Sequence, residues 1–192
     1  MSRIGRLPIE IPAGVTVTIG ENNAVTVKGP LGTLERTMHP TAILSIEGNH
    51  VLVARPDDMK EHKAIHGLTR VLINNMIIGV TKGFSKTLVV HGVGYKVTVE
   101  GGNKAVFNVG FSHPVTVEIP KGITAKAEAG LTVHGVDKKD LTGITVTGID
   151  KEQVGQFAAD LRDIKRPDPY HLYGILYKDE VIVKKVGKTA GK

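Results

Sequence analysis

The chain has 192 residues, 41% of them hydrophobic, with 25 Lys plus Arg against 19 Asp plus Glu, 23 glycines, and neither cysteine nor tryptophan. Its formal charge of +6 and pI near 9.5 favour polyanions, which means nucleic acid or an acidic membrane face. The lack of cysteine excludes a disulfide framework and any thiolate metal site.

The first residues carry Arg3 and Arg6, but Pro8 and Pro12 interrupt any apolar stretch, so no signal peptide is expected. No apolar run approaches the roughly 18 residues that span a bilayer, and a soluble, membrane-free protein is expected. Residues 1–54 alternate apolar and polar positions in short runs, as half-buried strands do. The runs are Val15–Ile19, Ala24–Val27, Thr33–Met38, Ile43–Ile46 and Val51–Val53, with turns at Gly29-Pro30-Leu31-Gly32 and Gly48-Asn49. The period then changes. Ile65, Leu68, Leu72, Met76 and Val80 recur every three or four residues, predicting a helix that buries that stripe. Asp57 or Asp58 is its expected N-cap, and Gly79 with Gly83 its stop.

A second run of strands follows at Thr87–Val90, Tyr95–Val99, Ala105–Val109, Val115–Ile119 and Ile123–Ala127. A second helix is predicted from Lys151 to about Ile164, capped by Asp150, with Val154, Phe157, Ala158 and Leu161 on its apolar face. The fold class is therefore α+β: two duplicated small domains, each an antiparallel or mixed sheet packed by one main helix, plus a basic tail. Expected boundaries are 1–82, 83–172 and 173–192. Short echoes support duplication, such as Ile11-Pro12-Ala13-Gly14-Val15-Thr16 against Ile119-Pro120-Lys121-Gly122-Ile123-Thr124. A tighter repeat, 131–143 against 144–156, reads as a duplicated strand and turn that lengthens a sheet or loop.

Patterns that imitate catalytic motifs fail on inspection. His62 and His66 share a helix face, but Lys63 stands where a zinc protease needs glutamate, and no third ligand is evident. Gly187-Lys188-Thr189 lacks the earlier glycine and following helix of a phosphate-binding loop. Gly92-Val93-Gly94 has Val97 in place of a dinucleotide-binding glycine and suits a tight turn. No enzyme, metal, cofactor or small-molecule substrate is expected.

The C-terminal segment differs in kind. From residue 162 onward eight cations face four acids, so +4 of the +6 lies in the last 31 residues. Arg162, Lys165, Arg166, Lys178, Lys184, Lys185, Lys188 and Lys192 accompany Tyr170, Tyr173 and Tyr177, while Pro167 and Pro169 hold the stretch extended. Cations neutralise phosphates and release counterions, and tyrosine rings stack on unpaired bases. This composition predicts RNA binding, the alternative being a solvated basic tail with structural tyrosines. Val181-Ile182-Val183 also reads as an edge strand.

Several motifs occur in a specific order: Ile11-Pro12-Ala13-Gly14-Val15, Val27-Lys28-Gly29-Pro30-Leu31-Gly32, His66-Gly67-Leu68-Thr69-Arg70, Gly110-Phe111-Ser112-His113-Pro114, Gly148-Ile149-Asp150-Lys151 and Arg166-Pro167-Asp168-Pro169-Tyr170. Together they resemble the bacterial large-subunit ribosomal protein six family over almost the whole chain. The resemblance implies a structural constituent of the large ribosomal subunit in the cytoplasm, binding large-subunit (23S) rRNA chiefly through the C-terminal domain and tail. It also implies a place near the stalk base, among neighbouring ribosomal proteins, where translation factors dock. By position it implies RNA contact at Lys165, Arg166, Tyr170, Tyr177, Lys178, Lys184, Lys185 and Lys188. One departure bears on the site. Where the family usually has a Lys-Gly-Lys-Gly-Ile-Arg-like stretch, this chain has His171-Leu172-Tyr173-Gly174-Ile175-Leu176, replacing three cations. The alternative to a ribosomal role is a free-standing regulatory RNA binder.

Overall fold

The structure, a computed structural model, describes residues 4–133 and 141–188. It divides into two compact units, the first running to Phe84 and taking in Ile149–Lys151, the second formed by Ser85–Gly148 and the chain from Glu152.

In the first unit, β1 (Ile9–Glu10), β2 (Thr16–Ile19), β3 (Ala24–Gly29), β4 (Gly32–Thr37), β5 (Ile43–Glu47) and β6 (His50–Ala54) precede the helix α1 (Lys60–Thr81). They form two three-stranded sheets, ordered β1-β6-β5 and β2-β3-β4. Alternation decides which face is buried. Val17 lies opposite Val27 and Ile19 opposite Val25, and these valines of β3 are fully buried, while Thr16 and Thr18 face outward. Helix α1 touches strands of both sheets and closes a core of Ile9, Ile11, Val17, Val25, Val27, Met38, Val51, Ile73, Met76, Ile77 and Val80.

The buried face of α1 keeps Met76 and Val80 of the expected stripe, leaves Ile65 and Leu72 half-buried, and is rotated away from Leu68. His66, Thr69, Ile73, Met76, Ile77, Gly79 and Val80 are buried, and Leu68 is 58% exposed. Hydropathy misassigns the face because a histidine and a threonine occupy it. His66 is tolerated there because both ring nitrogens are satisfied: Nε2–H donates to the Val53 carbonyl at 2.9 Å, and Nδ1 lies 3.2 Å from the Arg55 guanidinium. Neither Asp57 nor Asp58 takes the expected N-cap position. Met59 is the N-cap, with its N–H bound to the Asp57 carboxylate at 2.9 Å. Of the two glycines expected to stop the helix, Gly83 does so, at φ +72° and donating to the carbonyls of Ile78 and Gly79, while Gly79 lies buried within the helix.

The second unit holds β7 (Phe84–His91), β8 (Lys96–Glu100), β9 (Lys104–Asn108), β10 (Val115–Glu118), β11 (Ile123–Leu131), β12 (Leu141–Gly148), the helix α2 (Lys151–Asp163) and β13 (Gly174–Tyr177). One sheet is ordered β10-β9-β8 and the other β11-β12-β7-β13. Leu88, Val89, Val90 and His91 are all buried, as befits an inner strand covered on both faces. On α2 the buried residues are Val154, Phe157, Ala158 and Leu161, the four expected. The α+β class with two similarly built halves holds.

Two readings of the C-terminal region need correction. Val181–Val183 forms no strand; Val181 and Val183 are 70% and 82% exposed. Conversely, β13 pairs antiparallel with β7, setting Ile175 against Val90 and Leu176 against Val89. Leu176 is 1% exposed, so the position where a cation was expected belongs to the core. The extension read as 173–192 thus begins one residue before a sheet strand. Of the tandem repeat, 134–140 lies outside the described residues. Its second copy splits between β12 and the first turns of α2.

Candidate nucleic-acid interface

The site is organised by Asp168, which sits between two prolines. Its carboxylate accepts the N–H groups of Tyr170 at 3.2 Å and His171 at 2.7 Å, while its carbonyl accepts Leu172 N–H at 2.8 Å. Asp168 N–H donates to the Tyr173 carbonyl at 3.1 Å, closing the loop. The His171 N–H, followed by the Tyr170 N–H and the His171 ring, holds the Asp168 carboxyl below its ordinary 3.8, against a smaller opposing effect of desolvation. A depressed carboxyl contributes order above its unfolded pKa and loses it as pH falls through the folded one. The 168–173 loop is therefore expected to loosen only below about pH 4. Amide exchange of Tyr170 and His171 across pH 2–6 checks this, and the effect should vanish in Asp168→Asn.

Leu172 pays for the geometry of this loop. It adopts φ +61°, a left-handed conformation that costs a residue with a side chain about 1–2 kcal/mol. Here burial offsets the strain. Leu172 is 2% exposed, and its carbonyl accepts the Nδ1–H of the buried His91 at 2.9 Å. With Leu172 turned inward, its neighbours turn outward: the His171 and Tyr173 rings stack with centroids 5.5 Å apart, and Tyr173 meets His91 edge-on at 5.2 Å. Leu172→Ala should cost about 3 kcal/mol through lost packing. Leu172→Gly should cost no more than alanine, reversing the usual order by relieving the backbone. Urea unfolding of both variants measures the difference.

The remaining cations divide into engaged and open. The Arg162 guanidinium grips Glu180 with two hydrogen bonds, and the same carboxylate accepts Tyr177 N–H at 3.1 Å. Desolvation pushes the Glu180 carboxyl up, but the Arg162 hydrogen bonds and the Tyr177 N–H together outweigh it and hold it below the usual range. Tyr177 is half-buried, with Arg162 and Lys86 within 6 Å of its ring centroid at 5.8 and 5.7 Å; burial raises its phenol. Arg166 is exposed but paired twice with Asp163 at 2.9 Å, and Lys165 sits 5.0 Å from the Phe111 ring centroid.

Lys178, Lys184, Lys185 and Lys188 are exposed, and none has an acidic partner among the described residues. Lys185 N–H donates to the Pro169 carbonyl at 2.9 Å, tying the tail to the Asp168 loop. Between them lies an open groove of about 490 Å³ lined by Tyr170, His171, Lys184, Lys185, Val186 and Gly187. The structure thus brings Tyr170, Lys184 and Lys185 together, with Tyr173 stacked on His171 beside them. Tyr177 and Lys178 stand at the other end of β13, and Lys192 lies outside the described residues. Sequence reasoning counted His171 only as a lost cation. The signal for its role was Asp168 three residues earlier.

His62 and His66 do not converge on a shared ligand position. His62 Nδ1 lies 2.5 Å from Asp57, and both nitrogens of His66 are occupied by the protein.

Comparison with known proteins gives the same assignment over both halves. The family model described as Ribosomal protein L6 matches residues 11–83 and again 91–178. Proteins named "Large ribosomal subunit protein uL6" are similar along their full length. That of Lachnoclostridium phytofermentans is 51% identical over 100% of both chains, and that of Clostridium botulinum (strain Eklund 17B / Type B) 50% over 100% of both. That of Caldicellulosiruptor bescii is 53% identical over 100% of this chain and 98% of its own. With a family model covering most of the chain and full-length relatives at half identity, the chain belongs to the ribosomal protein L6 family.

Proposed function

We propose that this chain is a structural, non-enzymatic protein of the large ribosomal subunit, working in the cytoplasm, that binds 23S rRNA through its C-terminal unit. We place the contact near the stalk base and the factor-binding region, beside neighbouring ribosomal proteins. The observation that carries the reading is the open cationic edge: Lys184 and Lys185 beside the exposed Tyr170, followed by Lys188, all three without an acidic partner among the described residues. In the proposed complex Lys178, Lys184, Lys185 and Lys188 position phosphates. Tyr170 and Tyr173 supply aromatic surface, Lys165 and Arg166 lie at the border, and Lys192 extends the same charge. Arg162 and Tyr177 support the platform by packing.

Sedimentation of an extract containing the tagged chain tests the assignment. The chain should travel with the large subunit and stay there through a moderate salt wash. Recovery in light fractions on short RNA would favour a free-standing regulatory binder instead.

A further inference from the structure

The groove between the Asp168 loop and the tail has features that general phosphate binding does not require. The Asp168 carboxylate orders the backbone of Tyr170 and His171, which line the groove, and the Lys185–Pro169 hydrogen bond ties the tail to that loop. Tyr170, which is 45% exposed, and His171 line it from the loop, and Lys184, Lys185, Val186 and Gly187 from the tail, the two lysines having no acidic partner among the described residues. A volume of about 490 Å³ falls within the roughly 300–1,000 Å³ usual for small-molecule sites, too small for a duplex but ample for one base with its sugar. Paired bases offer no open ring face, whereas an extruded base does. His171, which also lines the groove, stacks on Tyr173, so the lining offers ring surface for a base and ammonium groups for a phosphate.

We propose that this groove is a binding site for a single unpaired nucleotide of structured RNA, its base against Tyr170 and its phosphate held by Lys184 and Lys185. The inference rests on the RNA-binding reading above and deepens it. Lysine and tyrosine divide the labour: the first contributes salt-dependent affinity, the second salt-independent affinity and a demand for a nucleotide out of its helix.

The test binds the full chain to purified large-subunit rRNA over a salt series, with nucleotide-resolution probing of backbone flexibility in the complex. Tyr170→Ala should weaken binding about five- to 150-fold, the range for removing one stacked base, with the salt slope unchanged. Tyr170→Phe should bind as the unaltered chain does. Lys184→Ala with Lys185→Ala should lower the slope. One nucleotide should change reactivity with the unaltered chain and with Tyr170→Phe, but not with Tyr170→Ala. If the unaltered chain binds and Tyr170→Ala matches it in affinity and probing pattern, the groove proposal is wrong while rRNA binding stands. If Tyr170→Phe loses as much as alanine, the ring is not stacking and the proposal is again wrong. If the unaltered chain has no preference for this RNA over small-subunit rRNA, the functional reading fails and the groove proposal falls with it.

Discussion

Gly174→Ala is expected to destabilise the second unit by about 3 kcal/mol and to lower RNA affinity with it, because one methyl group would collide with three backbone atoms at once. A Cβ on Gly174 would lie 2.7 Å from the Lys165 carbonyl oxygen, 2.7 Å from Pro167 Cα and 2.8 Å from the Arg166 carbonyl oxygen. None of these is the end of a flexible side chain that can turn away. The residue also sits at φ +152°, where side chains strain the backbone. The close approach has a purpose in the fold. Ile175 N–H donates to the Lys165 carbonyl at 2.8 Å, so the segment leaving α2 is laid directly on the start of β13. Pushing them apart disturbs the pairing of β13 with β7 and the loop that presents Tyr170. Thermal or urea unfolding should show the loss, and binding measured well below the midpoint should show whether the folded fraction still grips RNA.

The second large effect concerns affinity alone. Lys184→Ala with Lys185→Ala should leave stability unchanged within about 0.5 kcal/mol, since both side chains are exposed and without partners among the described residues. The same double variant should lower the slope of log affinity against log salt by about one to two units, because each neutralised phosphate contributes roughly 0.7–0.9. At 0.1 M salt that corresponds to a loss on the order of tenfold to a hundredfold. Filter binding to large-subunit rRNA reads both quantities. Arg166→Ala should do much less, since its charge is already shared with Asp163 in two 2.9 Å hydrogen bonds.

The distinction between open and engaged cations is what the sequence could not supply. Local features were legible. Val154, Phe157, Ala158 and Leu161 recur at helical spacing and are the residues α2 buries. Val25 and Val27 alternate with threonine and lysine and are buried in β3. Features set by distant partners were not. The face of α1 turns on a carbonyl of β6 and a guanidinium near its end, which make His66 a core residue. Strand β13 has only Ile175 and Leu176 as apolar signal and exists because β7 offers an edge, so Leu176 looked like a missing cation when it is core.

The site divided in the same way. Composition located the basic, tyrosine-rich segment, and Pro167 and Pro169 marked it as extended. Neither revealed that Arg162 is consumed by Glu180, 18 residues on, or that Tyr177 is wedged under Arg162 and Lys86. Leu172 is the sharpest case. In the sequence it is one apolar residue between a histidine and a tyrosine. In the fold it holds φ +61° by burying its side chain, and so directs the two flanking rings outward.

The chain contains no cysteine, so a single one placed at Val186, which is 89% exposed at the groove, can carry a chelated iron with no competing attachment. Hydroxyl radicals generated from it in assembled large subunits report which RNA lies within reach. The account predicts strong cuts confined to a few neighbouring stretches of large-subunit rRNA, absent with the cysteine-free chain. A strand pattern no different from that control, in particles shown to contain the labelled protein, would mean the tail faces solvent and would contradict it.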